Sequence, residues 1–270
     1  MEQNYNTLYN IVKNAGALML SAVNIEDHVT DKGQACDLVT IYDKQVQEQL
    51  CTELRKAYPY CGIYAEEDDL CDIDERDSYF IIDPIDGTCN FVRALHHSCI
   101  SVGLWEKGEI VAAAVYNPFA DELFTAEKGR GAFLNGKVLH VTEADLPNSL
   151  VLLGSAIYYR DTIPATLRFI EELLPVTLDI RRGGSAALDL CYLAAGKADL
   201  FFECCLRPWD YAAGSLIVTE AGGMASALDG TSLRFYDRCS VAAGNPNNHP
   251  ALIALSQKIA NEPDMKGRIK

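Results

Sequence analysis

Residues 78–91, SYFIIDPIDGTCNF, constrain this chain more than any other segment. Phe80, Ile81 and Ile82 form an apolar, β-prone run that has to be buried, yet it leads directly into Asp83 and, past Pro84 and Ile85, into Asp86. An unpartnered buried carboxylate is prohibitively costly, and Pro84 has no N–H for a strand ladder. The expectation is therefore a strand ending at 82, with both acids in the loop that follows and something cationic near them. Gly87-Thr88 bares backbone N–H groups and Asn90-Phe91-Val92 can open a helix, so an anion could rest on that turn. Carboxylates and an anion cradle share one turn comfortably if a hard cation such as Mg2+ lies between them. Asp-Pro and Asp-Gly are also ordinary turn dipeptides, so this segment alone does not decide a function.

The remaining composition narrows the classes. With 270 residues, 49% hydrophobic and 23% charged, the chain can bury a large core as one big domain or two modest ones. Its formal charge of -15 repels nucleic-acid backbones and anionic lipid, and the basic residues are scattered, so neither a nucleic-acid nor a membrane partner is expected. A small anionic substrate stays possible if metal cations invert the local field. The N-terminus has neither a basic nor a long apolar segment of a secretion signal, and no apolar run reaches the roughly 18 residues of a spanning helix. A cytoplasmic, reducing location follows as the expectation, with the 10 cysteines mostly small buried hydrophobes and none at zinc-finger spacing.

Helix-like and strand-like stretches alternate. Leu8, Ile11, Val12, Ala15, Leu18 and Met19 recur at helical spacing over 4–23, and 43–57 reads as a second helix with Asp43 as its N-cap. Strands are expected at 61–65 and 79–82. ISVGLWEKGEIVAAAVYNP reads as a hairpin turning at Glu106-Lys107-Gly108, and DELFTAEKGRGAFLNGKVLHV continues it with turn points at Gly129, Gly131 and Asn135-Gly136. A composition shift near Asp145-Leu146-Pro147-Asn148 divides an N-terminal lobe, 1–146, from a C-terminal α/β lobe, 147–270, within a single domain. In the second lobe LVLLGS, PVTLDI and ADLFFE read as buried strands and 162–173, 184–195 and 208–221 as helices, while the tail NEPDMKGRIK is expected to fray.

Three further segments carry acids. IYAEEDDL places Glu66-Glu67-Asp68-Asp69 after a strand, where four acids can simply be a solvated loop. RPWDYAAGSLIVTEAGG sets Asp210 at the start of an apolar helix, where capping alone would favour it. Lys32 and Asp43 flank CDLVTIYD, which by itself reads as another strand.

Together these segments resemble the inositol monophosphatase family of magnesium-dependent, lithium-sensitive phosphatases. DPIDGTCNFV matches that family's Asp-Pro-(Ile/Leu)-Asp-Gly-Thr-x-Asn-Phe signature, and WDYAAGSLIVTEAGG its Trp-Asp-x-Ala-Ala-Gly…Glu-Ala-Gly-Gly signature; the resemblance runs from Lys32 to Gly223. It implies an α+β fold, a five-layered αβαβα sandwich of the inositol monophosphatase and fructose-1,6-bisphosphatase type. It implies that Glu66, Asp83 and the Ile85 carbonyl hold one Mg2+, that Asp83, Asp86 and Asp210 hold a second, and that a third, weaker ion uses Glu66. Glu66 and the Thr88 hydroxyl would orient the attacking water, with Asp43 acting through Thr88. Gly87 and Thr88 would offer N–H groups to phosphate, Asp86, Ala186, Glu203 and Asp210 would meet substrate hydroxyls, and Lys32 would lie on a loop near the metals. Two metal ions can supply the more than 20 kcal/mol that phosphate monoester hydrolysis demands by activating water and neutralising the leaving oxygen.

Other candidates carry less. Adjacent His96 and His97 point to different sides and read as structural or surface groups, Gly183-Gly184-Ser185 as the opening of a helix with its backbone near substrate, and Cys89 as filler. The chain departs from the family at Ala65, Asp68 and Arg93, usually Gly, Ser and His there, and at Arg207, whose charge could select a second anionic group. The leading expectation is inositol-monophosphate hydrolysis. Its alternatives are the same chemistry on fructose 1,6-bisphosphate, histidinol phosphate or 3′-phosphoadenosine 5′-phosphate, and a non-catalytic regulatory protein on the same fold. The resemblance also implies a homodimer, with the 99–134 hairpins as a source of interface.

Overall fold

The computed structural model describes residues 5–31, 38–67, 71–72 and 77–269; Lys32 and Asp68 lie outside them. The chain opens with α1 (Asn6–Ser21), the antiparallel pair β1 (Val29–Asp31) and β2 (Leu38–Thr40), and α2 (Ile41–Ala57). There follow β3 (Gly62–Ala65), β4 (Cys71–Asp72), β5 (Ser78–Asp86), α3 (Thr88–Val92), β6 (Cys99–Glu106), β7 (Glu109–Asn117), β8 (Glu122–Glu127), β9 (Gly131–Leu134) and β10 (Lys137–Val138). The second half holds β11 (Leu150–Leu153), α4 (Ile163–Leu173), β12 (Asp179–Arg181), α5 (Ala186–Ala194), β13 (Leu200–Leu206), α6 (Pro208–Glu220), β14 (Met224–Ser226), β15 (Cys239–Gly244) and α7 (His249–Ala260).

Two sheets result, one of eight strands in the order β10-β9-β8-β7-β6-β5-β3-β4 and one of five in the order β12-β11-β13-β15-β14. Period-2 alternation explains the layering. In β5, Phe80 and Ile82 enter an apolar cluster with α1 and α2, while Tyr79 and Ile81 enter another with α5 and α6. In β13, Phe201 joins that α5–α6 cluster from the other side, and Leu200 and Phe202 face α4 and α7. Both faces of both sheets are covered, giving the order α1–α2, sheet, α5–α6, sheet, α4–α7. That five-layered sandwich is the expected one, and it explains why the strands read as nearly continuous apolar runs. As the central layer, α6 is apolar all round, with Pro208, Trp209 and Tyr211–Val218 buried.

The β6–β7 and β9–β10 turns have the left-handed backbone of type I′: φ is 50° at Lys107 and 104° at Gly108, and 49° at Asn135 and 77° at Gly136. Several local expectations give way to tertiary or capping effects. Only Leu38–Thr40 of CDLVTIYD is extended among its described residues. Thr40, not Asp43, is the N-cap of α2, and Asp43 sits three residues on, closing a reciprocal capping box. Of PVTLDI only Asp179 and Ile180 pair as a strand, which continues to Arg181. Through Ile269 the tail makes contacts with the body of the protein: Arg168 binds Glu262, Arg268 donates to the Asp161 carbonyl, and Met265 and Ile269 pack on the α4–α7 cluster. The 99–134 region shows none of the large exposed apolar side chains; Leu167, Leu174, Val176 and Leu178, on and after α4, do. Among the described residues no helix is long and apolar enough to cross a membrane.

Candidate active site

Strand β5 does not stop at Ile82. It runs to Asp86, and both acids are buried, Asp83 at 2% and Asp86 at 8% exposure. The two residues are an odd number of positions apart and would face opposite sides of a regular strand. The ladder to β6 is irregular between them, Asp83 pairing with Ser101 and Asp86 with Cys99, and this bulge at Pro84 brings both carboxylates to one side. Asp210, in the first turn of α6, completes a cluster: one oxygen from each of Asp83, Asp86 and Asp210 lies within 4.8 Å of the others.

Each of the three acids is held by a specific donor. The Ile85 N–H donates to Asp83 Oδ1 at 3.0 Å, and the Arg207 N–H donates to Asp210 Oδ2 at 2.8 Å. Asp86 Oδ2 accepts from the Ser185 hydroxyl at 2.6 Å and from the Ala187 N–H at 2.7 Å, so the N-terminus of α5 faces this carboxylate. Ser185 is at once the N-cap of α5 and a tether between the two halves of the chain.

Burial and like charge leave the cluster electrostatically frustrated. Burial, then Glu66, Asp86 and Asp210, push Asp83 well above the usual carboxylate range, and burial, then Asp86 and Glu66, do the same to Asp210. Asp86 is raised only to about 6, because burial is opposed by its Ser185 and Ala187 hydrogen bonds. Two ligands of one Mg2+ are at most about 4.2 Å apart, given bonds of about 2.1 Å, so a cluster of this charge, with a span of up to 4.8 Å, would hold that cation after closing by a few tenths of an ångström.

Glu66 lines the same cavity but stands outside the three-acid group, which is the set expected to hold the second metal rather than the first. Its position is set by its N–H, which donates to the Ile82 carbonyl, and by Glu67, whose N–H and C=O bind the Gln47 amide. The Thr88 hydroxyl lies within hydrogen-bond distance of two acceptors, the Ile85 carbonyl at 3.0 Å and Asp43 Oδ1 at 3.3 Å. Gly87 has φ +86°, and a Cβ there would stand 3.0 Å from the His97 carbonyl oxygen, so a side chain is excluded where the backbone crosses between β5 and α3.

The cavity, of about 370 Å³, is lined by Glu66, Asp83, Ile85, Asp86, Gly87 and Thr88 on one hand and by Ala186, Glu203 and Asp210 on the other. Glu203 is buried in β13, accepts the Ala156 N–H at 2.7 Å, and is raised to about 8, chiefly by burial. Sequence reasoning did not find Asp189, Arg182 or loop 154–159, which also line it. Asp189 lies 3.6 Å from His97 Nε2. His96 stacks on Phe119, so neither histidine joins the acid cluster. Cys89 is not filler: it is exposed and lines the cavity. Ala65, by contrast, is fully buried in the α1–α2 cluster.

Comparison with known proteins agrees with this geometry. The family model described as "Inositol monophosphatase family" matches residues 1–261. The protein named "Nus factor SuhB" in Escherichia coli (strain K12) is 38% identical over 245 residues, which is 90% of this chain and 91% of that protein. An inositol monophosphatase (IMPase) structure from Thermotoga maritima superposes with a TM-score of 0.84 at 34% identity, covering 95% of this chain and 98% of that one. SaIMPase-II solved with bound inositol monophosphate gives a TM-score of 0.79 at 26% identity, covering 92% of each chain.

Proposed function

Since this chain belongs to the inositol monophosphatase family, we propose that it is a cytoplasmic phosphate monoester hydrolase that acts on inositol monophosphate, with Mg2+ held at the buried carboxylates. The observation that carries the reading is the convergence of Asp83, Asp86 and Asp210 within 4.8 Å in a buried position that like charges would otherwise destabilise. Asp83, Asp86, Asp210, the Ile85 carbonyl and Glu66 would hold the metal. When bound, Mg2+ supplies Lewis-acid activation of water and neutralises charge on the phosphate and the departing oxygen.

The chain's own groups do the rest. The Thr88 hydroxyl donates a hydrogen bond to Asp43 Oδ1, which turns that oxygen's lone pairs toward the attacking water, and Glu66 fixes the water from the other side. Gly87 and Thr88 present N–H groups to the phosphate. The Ala186 backbone and Glu203 meet substrate hydroxyls. Because burial holds the Glu203 proton up to about pH 8, this carboxyl can donate to a hydroxyl at neutral pH.

A second reading rests on one finding: the name of the Escherichia coli relative, Nus factor, states no enzymatic activity. In that reading this chain keeps the fold as a regulatory protein. Phosphate release from inositol 1-phosphate, fructose 1,6-bisphosphate, histidinol phosphate and 3′-phosphoadenosine 5′-phosphate, with Mg2+ and with chelator, separates the two. Mg2+-dependent release, abolished by Asp86→Asn, is expected; no release from any compound by folded protein in Mg2+ would favour the regulatory reading.

A further inference from the structure

Gly183, two residues before the N-cap of α5, is gripped by side chains from two different helices. Its carbonyl accepts from Asn90 Nδ2 of α3 at 3.0 Å, and the same nitrogen donates to the His97 carbonyl at 2.8 Å. Against its Cα stands the carboxylate of Asp189, from the first turn of α5. A Cβ at Gly183 would lie 2.0 Å from Asp189 Oδ1, so only glycine lets the two come this close. Asp189 Oδ1 in turn lies 3.6 Å from His97 Nε2, a buried nitrogen with no hydrogen-bond partner among the described residues. One amide and one carboxylate thus join three segments: α3, the stretch at His97, and the turn at 183–185.

The acid cluster hangs on that turn. The Ser185 hydroxyl and the Ala187 N–H both donate to Asp86 Oδ2, and Gly87 packs so tightly on the same turn that a Cβ there would stand 3.1 Å from the Gly184 carbonyl oxygen. A displacement of Gly183 would therefore be passed to Asp86 and to the backbone beside it, and misplacing a reacting group by about 1 Å can cost on the order of a hundredfold in rate. Filling space does not account for an acid at 189. Asp189 is 2% exposed, burial pushes its carboxyl above the usual range, and its charge raises Asp86 and Glu203 further. A carboxylate nonetheless offers two acceptor oxygens, enough to serve the Gly183 backbone and the His97 ring together, whereas an asparagine side chain has only one.

We propose that Asp189 is a positioning residue of the hydrolytic centre: with Asn90 it clamps Gly183, and so holds Ser185 and the head of α5 in the register that aims Asp86 at the metal. This rests on the reading of the acid cluster as a Mg2+ site.

The test uses Asp189→Asn, which keeps the shape and removes one acceptor, with Ser185→Ala and the double variant. Mg2+ binding is measured by calorimetry and stability by urea unfolding in chelator. Expected for Asp189→Asn is a Kd for Mg2+ raised roughly tenfold or more, with stability no lower than that of the unaltered protein. The double variant should bind Mg2+ within about twofold of Ser185→Ala, because both substitutions act through one hydrogen bond. An unchanged Mg2+ affinity, two effects that simply multiply, or an affinity loss that only follows a loss of stability overturns the proposal. If the unaltered protein binds no Mg2+, the metal reading fails, and amide hydrogen exchange in chelator decides the clamp by itself. Residues 183–187 should then exchange on the order of tenfold faster in Asp189→Asn, and in Asp189→Ala as a second variant, with α7 unchanged. Equal exchange over 183–187 in all three proteins overturns it.

Discussion

Glu203 offers a quantitative check on the electrostatics of the cavity. Its carboxyl is 7% exposed, and burial lifts it from the 4.5 of a free glutamate to about 8. Between those values the folded state holds a proton that the unfolded state has released, so stability declines as pH rises, by about 1.4 kcal/mol per unit. The contribution is intact below pH 4.5 and fully lost once pH passes about 8, a total on the order of 5 kcal/mol. Glu203→Gln keeps the shape and the acceptor for the Ala156 N–H while removing the ionisation. Urea unfolding of both proteins in chelator, from pH 5 to pH 9, should show near-equal stability at the acid end and a variant more stable by several kcal/mol at the alkaline end. Acids remote from Glu203 titrate alike in both proteins and cancel in the difference, whereas Asp86, Asp189 and Asp210, which interact with Glu203, modulate it. An advantage that is the same at pH 5 and pH 9 would refute the claim that burial keeps this carboxyl protonated.

Other outcomes follow from the same geometry. Asp86→Asn should lower Mg2+-dependent turnover at least a hundredfold yet raise the melting temperature in chelator, because it removes one of three repelling buried charges; a lowered melting temperature would contradict the frustrated cluster. Mg2+ should raise the melting temperature of the unaltered protein, increasingly with concentration, and leave Asp86→Asn nearly unaffected. Ser185→Ala removes the 2.6 Å hydrogen bond that orients Asp86 and should weaken Mg2+ affinity roughly 10-fold or more in a metal titration of turnover. Gly154→Ala would place a methyl 1.7 Å from Glu203 Oε2 and should cost about 1–3 kcal/mol in urea unfolding while raising KM.

Much of the molecule is written in local pattern. Lys107-Gly108 and Asn135-Gly136 specify their turns because few residues accept positive φ, and α1 and α2 follow from the period of their apolar residues. The acids of the two signature segments are visible as motifs because carboxylates at the end of an apolar strand or at the head of an apolar helix conflict with their surroundings. Other features depended on distance in space. Thr40 displaced Asp43 as the cap because the reciprocal pair can form only in one register. The end of β5 was misplaced because local cost argues against burying Asp83 and Asp86. What makes the burial tolerable for Asp86 is an N-cap hydroxyl and an amide about a hundred residues away, at the head of α5. The C-terminal strand β15 and helix α7 were not read from the sequence, and their apolar faces pack against β13 and α4. The sequence by itself determined that the acids of the two signature segments belong to a site and where many of the strands and helices run, since these depend on neighbours along the chain. The tertiary structure alone decided that three acids meet within 4.8 Å and that Asn90 and Asp189 close on Gly183, because Coulomb energy and burial depend on separation in space, which folding and not chain order sets.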